Sequence, residues 1–331
     1  MKIFYAVQAT GNGHISRAME LLPYLKEYGQ VDIFLSGGNS NLKLDAPVKY
    51  RSKGLSLYYT CNGGLDYWQI ARRVNPISLR REIKELPLED YDFIINDYDY
   101  ITSAACKQRN LVSVNFGHQA SFQSDKAPRP ETVSKSGEWM LRHFSTSTRY
   151  LGLHFKSYDD FILTPVIKKE IIEADPKDNG YITVYLPSYC EKELTEIFSK
   201  FKEHRFEILS RQSAMIREEG NIKFIPVDKK LFNKSMINCT EMITGGGFET
   251  PAEALHLGKK VMAIPIRGQY EQCCNAAALK ELGVLTLPRI DDDFEQVFEK
   301  WQNEYRPIKM DYSKTIPQSM ERLFAASAAV S

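Results

Sequence analysis

The chain has 331 residues, 43% hydrophobic and 26% charged, a mix that excludes disordered, collagenous and coiled-coil classes and is long enough for two domains. Its 43 Lys and Arg against 42 Asp and Glu leave a formal net charge of +1, so no overall field attracts nucleic acid and any affinity for anions must be local. The first apolar run ends at Gly11, too short for a signal sequence or a membrane span, and no later run is long enough to span either.

In chain order, short apolar runs at Ile3 to Val7, Val31 to Leu35, Phe93 to Ile95 and Leu111 to Phe116 read as strands buried on both faces. Between the first two, Ala18, Leu21, Leu22 and Leu25 have the spacing of an amphipathic helix, in which Pro23 predicts a kink. Tyr67 to Leu86 interleaves aromatics with arginines and reads either as a solvated helix pair or as an acceptor-facing or membrane-facing surface around Trp68. Lys126 to Tyr150 has little periodicity and reads as a long loop or an irregular helix beside the substrate site. A polar stretch from about Ser157 to Gly180 precedes a second series of strands at Tyr181 to Leu186, Phe206 to Leu209, Ile222 to Ile225, Met242 to Thr244 and Val261 to Ile264. Such alternation predicts an α/β protein of two Rossmann-like, doubly wound domains facing across a cleft. The expected boundaries are 1–160 for the first domain, 161–180 for a linker, 181–310 for the second domain, and 311–331 for a C-terminal helix that packs back on the first. The six cysteines form no C-x-x-C pair and read as reduced thiols in a cytoplasm.

Two glycine-rich turns carry the chemistry. After the first strand comes Gly11-Asn12-Gly13-His14-Ile15-Ser16-Arg17. Ser16 stands where a dinucleotide fingerprint would have its third glycine, so hydride chemistry loses support. His14 falls at the carboxyl edge of the sheet, where open α/β sheets bind ligands, and an imidazole with an ordinary pKa of about 6.5 is a natural general base. Arg17 is either a surface cation or a group that holds the loop or an anionic substrate. In the second half, Thr244-Gly-Gly-Gly-Phe-Glu-Thr250-Pro251 ends a strand and starts a helix, with Thr250 as the cap and Pro251 at its first position. The free amides and about half a positive charge at that helix start can hold a diphosphate. Glu253 is either a capping-box residue or the acceptor for two ribose hydroxyls. Glu271 and Gln272, side by side at a later helix start, suit the hydroxyls of a sugar.

The stretch GGGFETPAEALHLGKKVMAIPIRGQYEQCCNAAALKELGV resembles the nucleotide-sugar site of GT-B glycosyltransferases over some forty residues. The N-terminal G-x-G-H-x-x-R is similar to the matching turn of bacterial members, including the peptidoglycan UDP-N-acetylglucosaminyltransferase and related family 1 enzymes. The resemblance implies that Gly246, Gly247 and Thr250 contact the diphosphate, with Ser188 adding a further phosphate contact. It also implies that Glu253 binds the ribose, Glu271 and Gln272 the transferred sugar, and the backbone of Ile225 the base. His14 falls where the family places the base, with Gly11, Gly13, Arg17, Asp99 and His118 on the acceptor side. Lys260 replaces the usual proline, and Glu271 replaces the commoner aspartate, which leaves the sugar open. Asp97-Tyr98-Asp99 spells a metal-type D-x-D, but its place at a first-half strand end favours orienting His14 or binding acceptor.

The expected reaction is an inverting transfer without metal or cofactor, from a nucleotide-sugar, UDP-linked by resemblance, to the hydroxyl of a glycan, lipid-linked or small-molecule acceptor. His14 and Asp97 are the catalytic pair, the halves close around the donor, and the enzyme is cytoplasmic or at the inner face of a membrane in bacterial glycan biosynthesis. A hydrolase or epimerase of the same frame, or a non-catalytic sugar-nucleotide-binding protein, are the rivals.

Overall fold

The computed structural model describes residues 1–38, 44–55 and 75–325. The first half comprises β1 (Lys2–Gln8), α1 (Gly13–Tyr28), β2 (Gln30–Ser36), β3 (Tyr50–Ser52), α2 (Pro76–Glu85), β4 (Phe93–Asp97), α3 (Tyr100–Arg109), β5 (Val114–Gly117), α4 (Lys135–His143), β6 (Arg149–Leu153) and β7 (Ile162–Leu163). Its strands form one parallel sheet in the order β3-β2-β1-β4-β5-β6-β7. The second half continues with α5 (Lys169–Ile172), β8 (Ile182–Tyr185), α6 (Glu191–Phe198), β9 (Phe206–Ser210), β10 (Arg217–Glu219), β11 (Ile222–Pro226), α7 (Lys229–Asn238), β12 (Glu241–Thr244), α8 (Glu249–His256), β13 (Lys260–Ala263), α9 (Tyr270–Glu281), β14 (Leu285–Thr286), α10 (Phe294–Glu304) and α11 (Thr315–Ala325). Its sheet runs β10-β11-β9-β8-β12-β13-β14, parallel except for the edge pair β10 and β11. The architecture is α/β, two doubly wound sheets, as the alternating pattern predicts.

The central strands are apolar because helices cover both of their faces. In β1, Ile3, Tyr5 and Val7 face Ala18, Leu21, Leu22 and Leu25 of α1, whereas Phe4 and Ala6 face the opposite layer with Ile83, Leu88, Ile101 and Ala105. The first of these clusters reaches into the second half, through Phe248, Ala252 and Leu255, so the halves share apolar contact at their base. Five short strands escaped the sequence pattern: β3, β6, β7, β10 and β14. Of these, β3, β7, β10 and β14 close the sheet edges with two or three residues each.

Other expectations shift in detail. Helix α1 runs unbroken through Pro23, which sits on its exposed side, where the lost backbone bond faces water. Lys126 to Tyr150 contains a regular helix, α4, capped by Ser134 accepting from the Gly137 amide. The polar stretch expected as a linker begins inside the first sheet, because Ile162 and Leu163 pair with Gly152 and Leu153 as its last strand. Of the basic stretch 67–86, residues 67–74, Trp68 among them, lie outside the described residues. The remainder is a solvated helix, α2, started by an Asn75 cap and Pro76, with Ile83 its one buried residue. Among the described residues no helix is long and apolar enough to cross a membrane.

Helix α11 returns from the second half to lie against α1. Phe324 stacks on Tyr28 with ring centroids 3.9 Å apart and meets Phe93 at 5.2 Å, while Ile316, Met320 and Leu323 join the same cluster. Phe324→Ala is therefore expected to cost about 3 kcal/mol, read as a lower urea midpoint, whereas Ile77→Ala, at a side chain 81% exposed, leaves the midpoint unchanged. Equal midpoints for wild type and Phe324→Ala would show that the returning helix does not hold the halves.

Candidate active site

In doubly wound sheets ligands bind beyond the carboxyl ends of the strands, at the point where strand order reverses. Here the reversal lies between β1 and β4 in one sheet and between β8 and β12 in the other. Both points open on one cleft. A cavity of about 550 Å³ is lined from the first half by Gly11, His14, Arg17 and Tyr98, and from the second by Tyr185, Thr244, Gly245 and Gly247. An adjoining cavity of about 380 Å³ is lined by Lys168, Pro226, Asp228, Phe232, Thr250 and Glu253. Asn12, Gly13, Tyr185, Arg211, Glu249 and Thr250 border both. Volumes of this order fit small-molecule ligands.

On the first-half side, parallel pairing sets Val7 of β1 beside Asp97 of β4, which brings the loop that leads into α1 next to that carboxylate. His14 Nδ1 lies 2.9 Å from Asp97 Oδ1, and Arg17 Nη2 donates to the same oxygen at 2.8 Å. Arg17 also donates from Nε and Nη2 to Oδ2, at 3.2 and 2.9 Å. Burial alone would raise the Asp97 pKa, but Arg17 and His14 hold it below the usual carboxylate range, so Asp97 is ionised and accepts only. Nδ1 must then carry the proton, and its 3.0 Å approach to Arg17 Nη2 is that of two donors sharing one acceptor. This tautomer leaves Nε2 as the basic nitrogen, without a hydrogen-bond partner among the described residues.

Tyr98, which no sequence signal singles out, turns the chain with a left-handed backbone, φ 59°, unusual for a residue with a side chain. The turn sends Asp97 and its neighbour Asp99 in different directions. Asp99 does not reach the cleft: it is fully buried, caps α3 by accepting from the Thr102 amide at 2.6 Å, and is pushed up in pKa by burial. The two D-x-D carboxylates therefore do not converge on one point. The Tyr98 ring lies parallel to that of His14 at 6.4 Å.

On the second-half side, α8 starts at Glu249 with Phe248 in the cap position, earlier than the Thr-Pro pair suggests. Thr250 and Pro251 are its second and third residues. The Glu249 and Thr250 amides precede the first helical bond, which Ala252 makes to Phe248 O. Gly247 faces open space in the larger cavity. Gly246 does not line it: its carbonyl accepts from Asn275 Nδ2 at 3.0 Å, and a Cβ there would meet Gln272 O and Pro265 Cβ at 2.8 Å. Glu253 is no capping-box residue. It is buried and accepts from Lys168 Nζ at 2.9 Å; burial raises its pKa and Lys168 opposes that. Glu271 accepts from Gln119 Nε2 of the first half at 3.2 Å, and burial pushes its pKa up against that bond. Gln272 lines the larger cavity and accepts from the Ile266 amide at 2.8 Å. Ile225 is buried behind Pro226 and Val227, which line the smaller cavity in its place, and Ser188 is exposed beside Pro187, outside both linings.

Arg17 is not an available anion-binding cation, because Glu249 takes its remaining edge, Nη1 to Oε1 at 2.8 Å. Glu249, Gln119 and Lys168 escape the sequence patterns. Glu249 stands inside the glycine-rich motif and Gln119 follows His118, whereas nothing local marks Lys168.

His118 bridges the halves. Its ring stacks on Phe248 with centroids 3.8 Å apart, Nδ1 lies 2.8 Å from Leu153 O, and Nε2 lies 2.8 Å from Asn275 Oδ1. Two carbonyl oxygens would suit the charged ring. Full burial outweighs them and pushes the pKa down to about 3, so the ring is neutral. An unfolded histidine takes up its proton near about 6.5, so His118 contributes stability above that pH and the contribution is lost as pH falls toward about 3. His118→Phe, which cannot charge, is expected to lose less melting temperature than wild type between pH 7 and pH 4.5; parallel slopes would mean that the native ring takes up its proton over the same range as the unfolded one.

The family model described as glycosyl transferase family 1 matches residues 1–300. Among solved structures, Arabidopsis thaliana UGT89C1 complexed with UDP shares 12% identity at a TM-score of 0.60, covering 98% of this chain and 95% of that one. Phytolacca americana UGT2, complexed with UDP-2-fluoro-glucose and pterostilbene, shares 13% at 0.59, covering 100% and 95%. The glycosyltransferase VinC in complex with dTDP shares 13% at 0.55, covering 99% and 96%. No curated protein matches the sequence. With its two facing doubly wound sheets and a family match along nearly its whole length, the chain belongs to glycosyl transferase family 1 and is a glycosyltransferase of GT-B fold.

Proposed function

We propose that this glycosyltransferase moves a sugar from a nucleotide-sugar to an acceptor hydroxyl with inversion and without a metal, His14 acting as general base. One observation carries the reading: His14, held from behind by Asp97, lines the same cavity as Gly245, Gly247 and Thr250 of the opposite half. The nucleoside would lie in the smaller cavity, near Glu253 and the Pro226–Asp228 turn, and the diphosphate at the start of α8. The bound UDP and dTDP of the similar structures support a nucleoside diphosphate as part of the donor.

The acceptor hydroxyl gives its proton to His14 Nε2 as its oxygen bonds to the anomeric carbon. The bond from that carbon to the diphosphate breaks on the opposite face, and its electron pair leaves with the diphosphate. Attack opposite the leaving group inverts the centre. Asp97 holds the imidazole in the required tautomer and stabilises the imidazolium that forms. Charge growing on the diphosphate meets the free amides and positive end of α8, where one oriented donor is worth roughly 3 kcal/mol. Glu271 and Gln272 line the region between, where the transferred sugar would sit.

His14→Ala is expected to lower transfer on the order of 10²- to 10⁴-fold while leaving UDP affinity, measured by titration calorimetry, nearly intact. A large loss of UDP affinity with little loss of turnover at saturating donor would move His14 to the donor site. Asp97→Asn, which no longer imposes the tautomer, should lose turnover too; anomeric analysis of the product by NMR tests the inversion.

A further inference from the structure

We propose that Arg17 and Glu249 form a charged strut that positions the His14–Asp97 pair against the donor-side helix and sets how readily His14 takes up a proton. The inference rests on the reading of His14 as the base. Arg17 lies one turn after His14 on α1, with its side chain 3% exposed. Its planar guanidinium points one edge at Asp97 and the other at Glu249, the first residue of α8. A rigid fork held by carboxylates on both edges fixes the spacing between the first sheet's edge and the start of α8. Gly13 completes the contact, since a Cβ there would run into the Glu249 carboxylate.

The charges of the cluster set its electrical behaviour. Asp97, Arg17 and Glu249 with a neutral His14 sum to minus one, and protonating His14 brings the group to zero. With glutamine at 249 the same group would be neutral at rest and plus one when His14 is charged. Glu249 therefore favours proton uptake by His14 although Arg17 stands between them. The other groups around this cluster stay constant in that comparison. They are the parallel Tyr98 ring, neutral His118 from the β5 end, Glu271 across the cavity, and the buried Tyr5, on which the charges of Asp97 and Arg17 act.

Glu249→Gln keeps the shape and removes the charge. A base must be unprotonated to act, so kcat/KM rises with pH through the His14 titration. In the variant this acidic limb is expected to move to lower pH by about half a unit to one unit, as for a charge acting over several ångströms at the cleft surface. The plateau rate should fall several-fold because a weaker base takes the acceptor proton less well. The His14 imidazole resonance, assigned with His14→Asn, should titrate at lower pH by the same amount in the folded variant, a readout that needs no turnover. An unmoved limb and an unmoved resonance, with only the donor KM raised, would overturn the strut and leave Glu249 a donor contact. Full activity in His14→Ala would instead overturn the reading of the base, whatever the resonance does.

Discussion

A carboxylate that is wholly buried and still ionised governs the layout of this cleft. Taking a charge out of water costs several kcal/mol and is tolerated only when good hydrogen bonds replace the lost hydration. Asp97 has them: three contacts from the Arg17 guanidinium and one from the His14 ring. Those donors sit within the first two turns of α1, so the carboxylate fixes where that helix begins relative to β4. The left-handed turn at Tyr98 belongs to the same arrangement, since it lets Asp97 face His14 and Arg17 while Asp99 caps the next helix. The geometry of this side of the cleft follows from satisfying one buried charge.

The parts of the molecule legible in the sequence are those decided by local or periodic signals. Strands such as Ile3 to Val7 announce themselves because both faces are covered, and the glycine turns stand out because they end those strands. Edge strands such as Arg217 to Glu219 carry no apolar signal, because solvent replaces one neighbour. The Thr250-Pro251 pair shows how a local rule can mislead: both residues are compatible with a first helical turn, so the helix can begin before them. Glu249 is drawn into that turn by Arg17, 232 residues earlier, and no local pattern encodes such a partner. The same holds for Lys168, whose role exists only because folding brings it to Glu253.

Asp99 and Arg17 teach a narrower lesson about motifs. Each lies in a pattern that suits an open functional group, and each is already engaged: Asp99 by a backbone amide, Arg17 by two carboxylates. A spacing of charged residues states what could meet, whereas the hydrogen bonds each group makes state what is still available. His14 passes that second test, since Asp97 occupies one ring nitrogen and leaves the other to the cavity.

Polar pairs of the same kind also hold the halves together. Besides Arg17 with Glu249, His118 meets Asn275, Gln119 meets Glu271, and Tyr270 donates to Glu138 at 3.0 Å. A hydrogen bond contributes on the order of 1 kcal/mol net, so these polar pairs together are worth a few kcal/mol, the scale on which a bound ligand can shift a conformational equilibrium. Ala252 and Leu255, which join the first-half core at the apolar base, lie outside both cavity linings, whereas Phe248 beside them lines the larger one. Glu271 shows how such a pair meets the cavity: its carboxylate accepts from Gln119 of the opposite half and also lines the larger cavity, where a ligand's donors would compete for it.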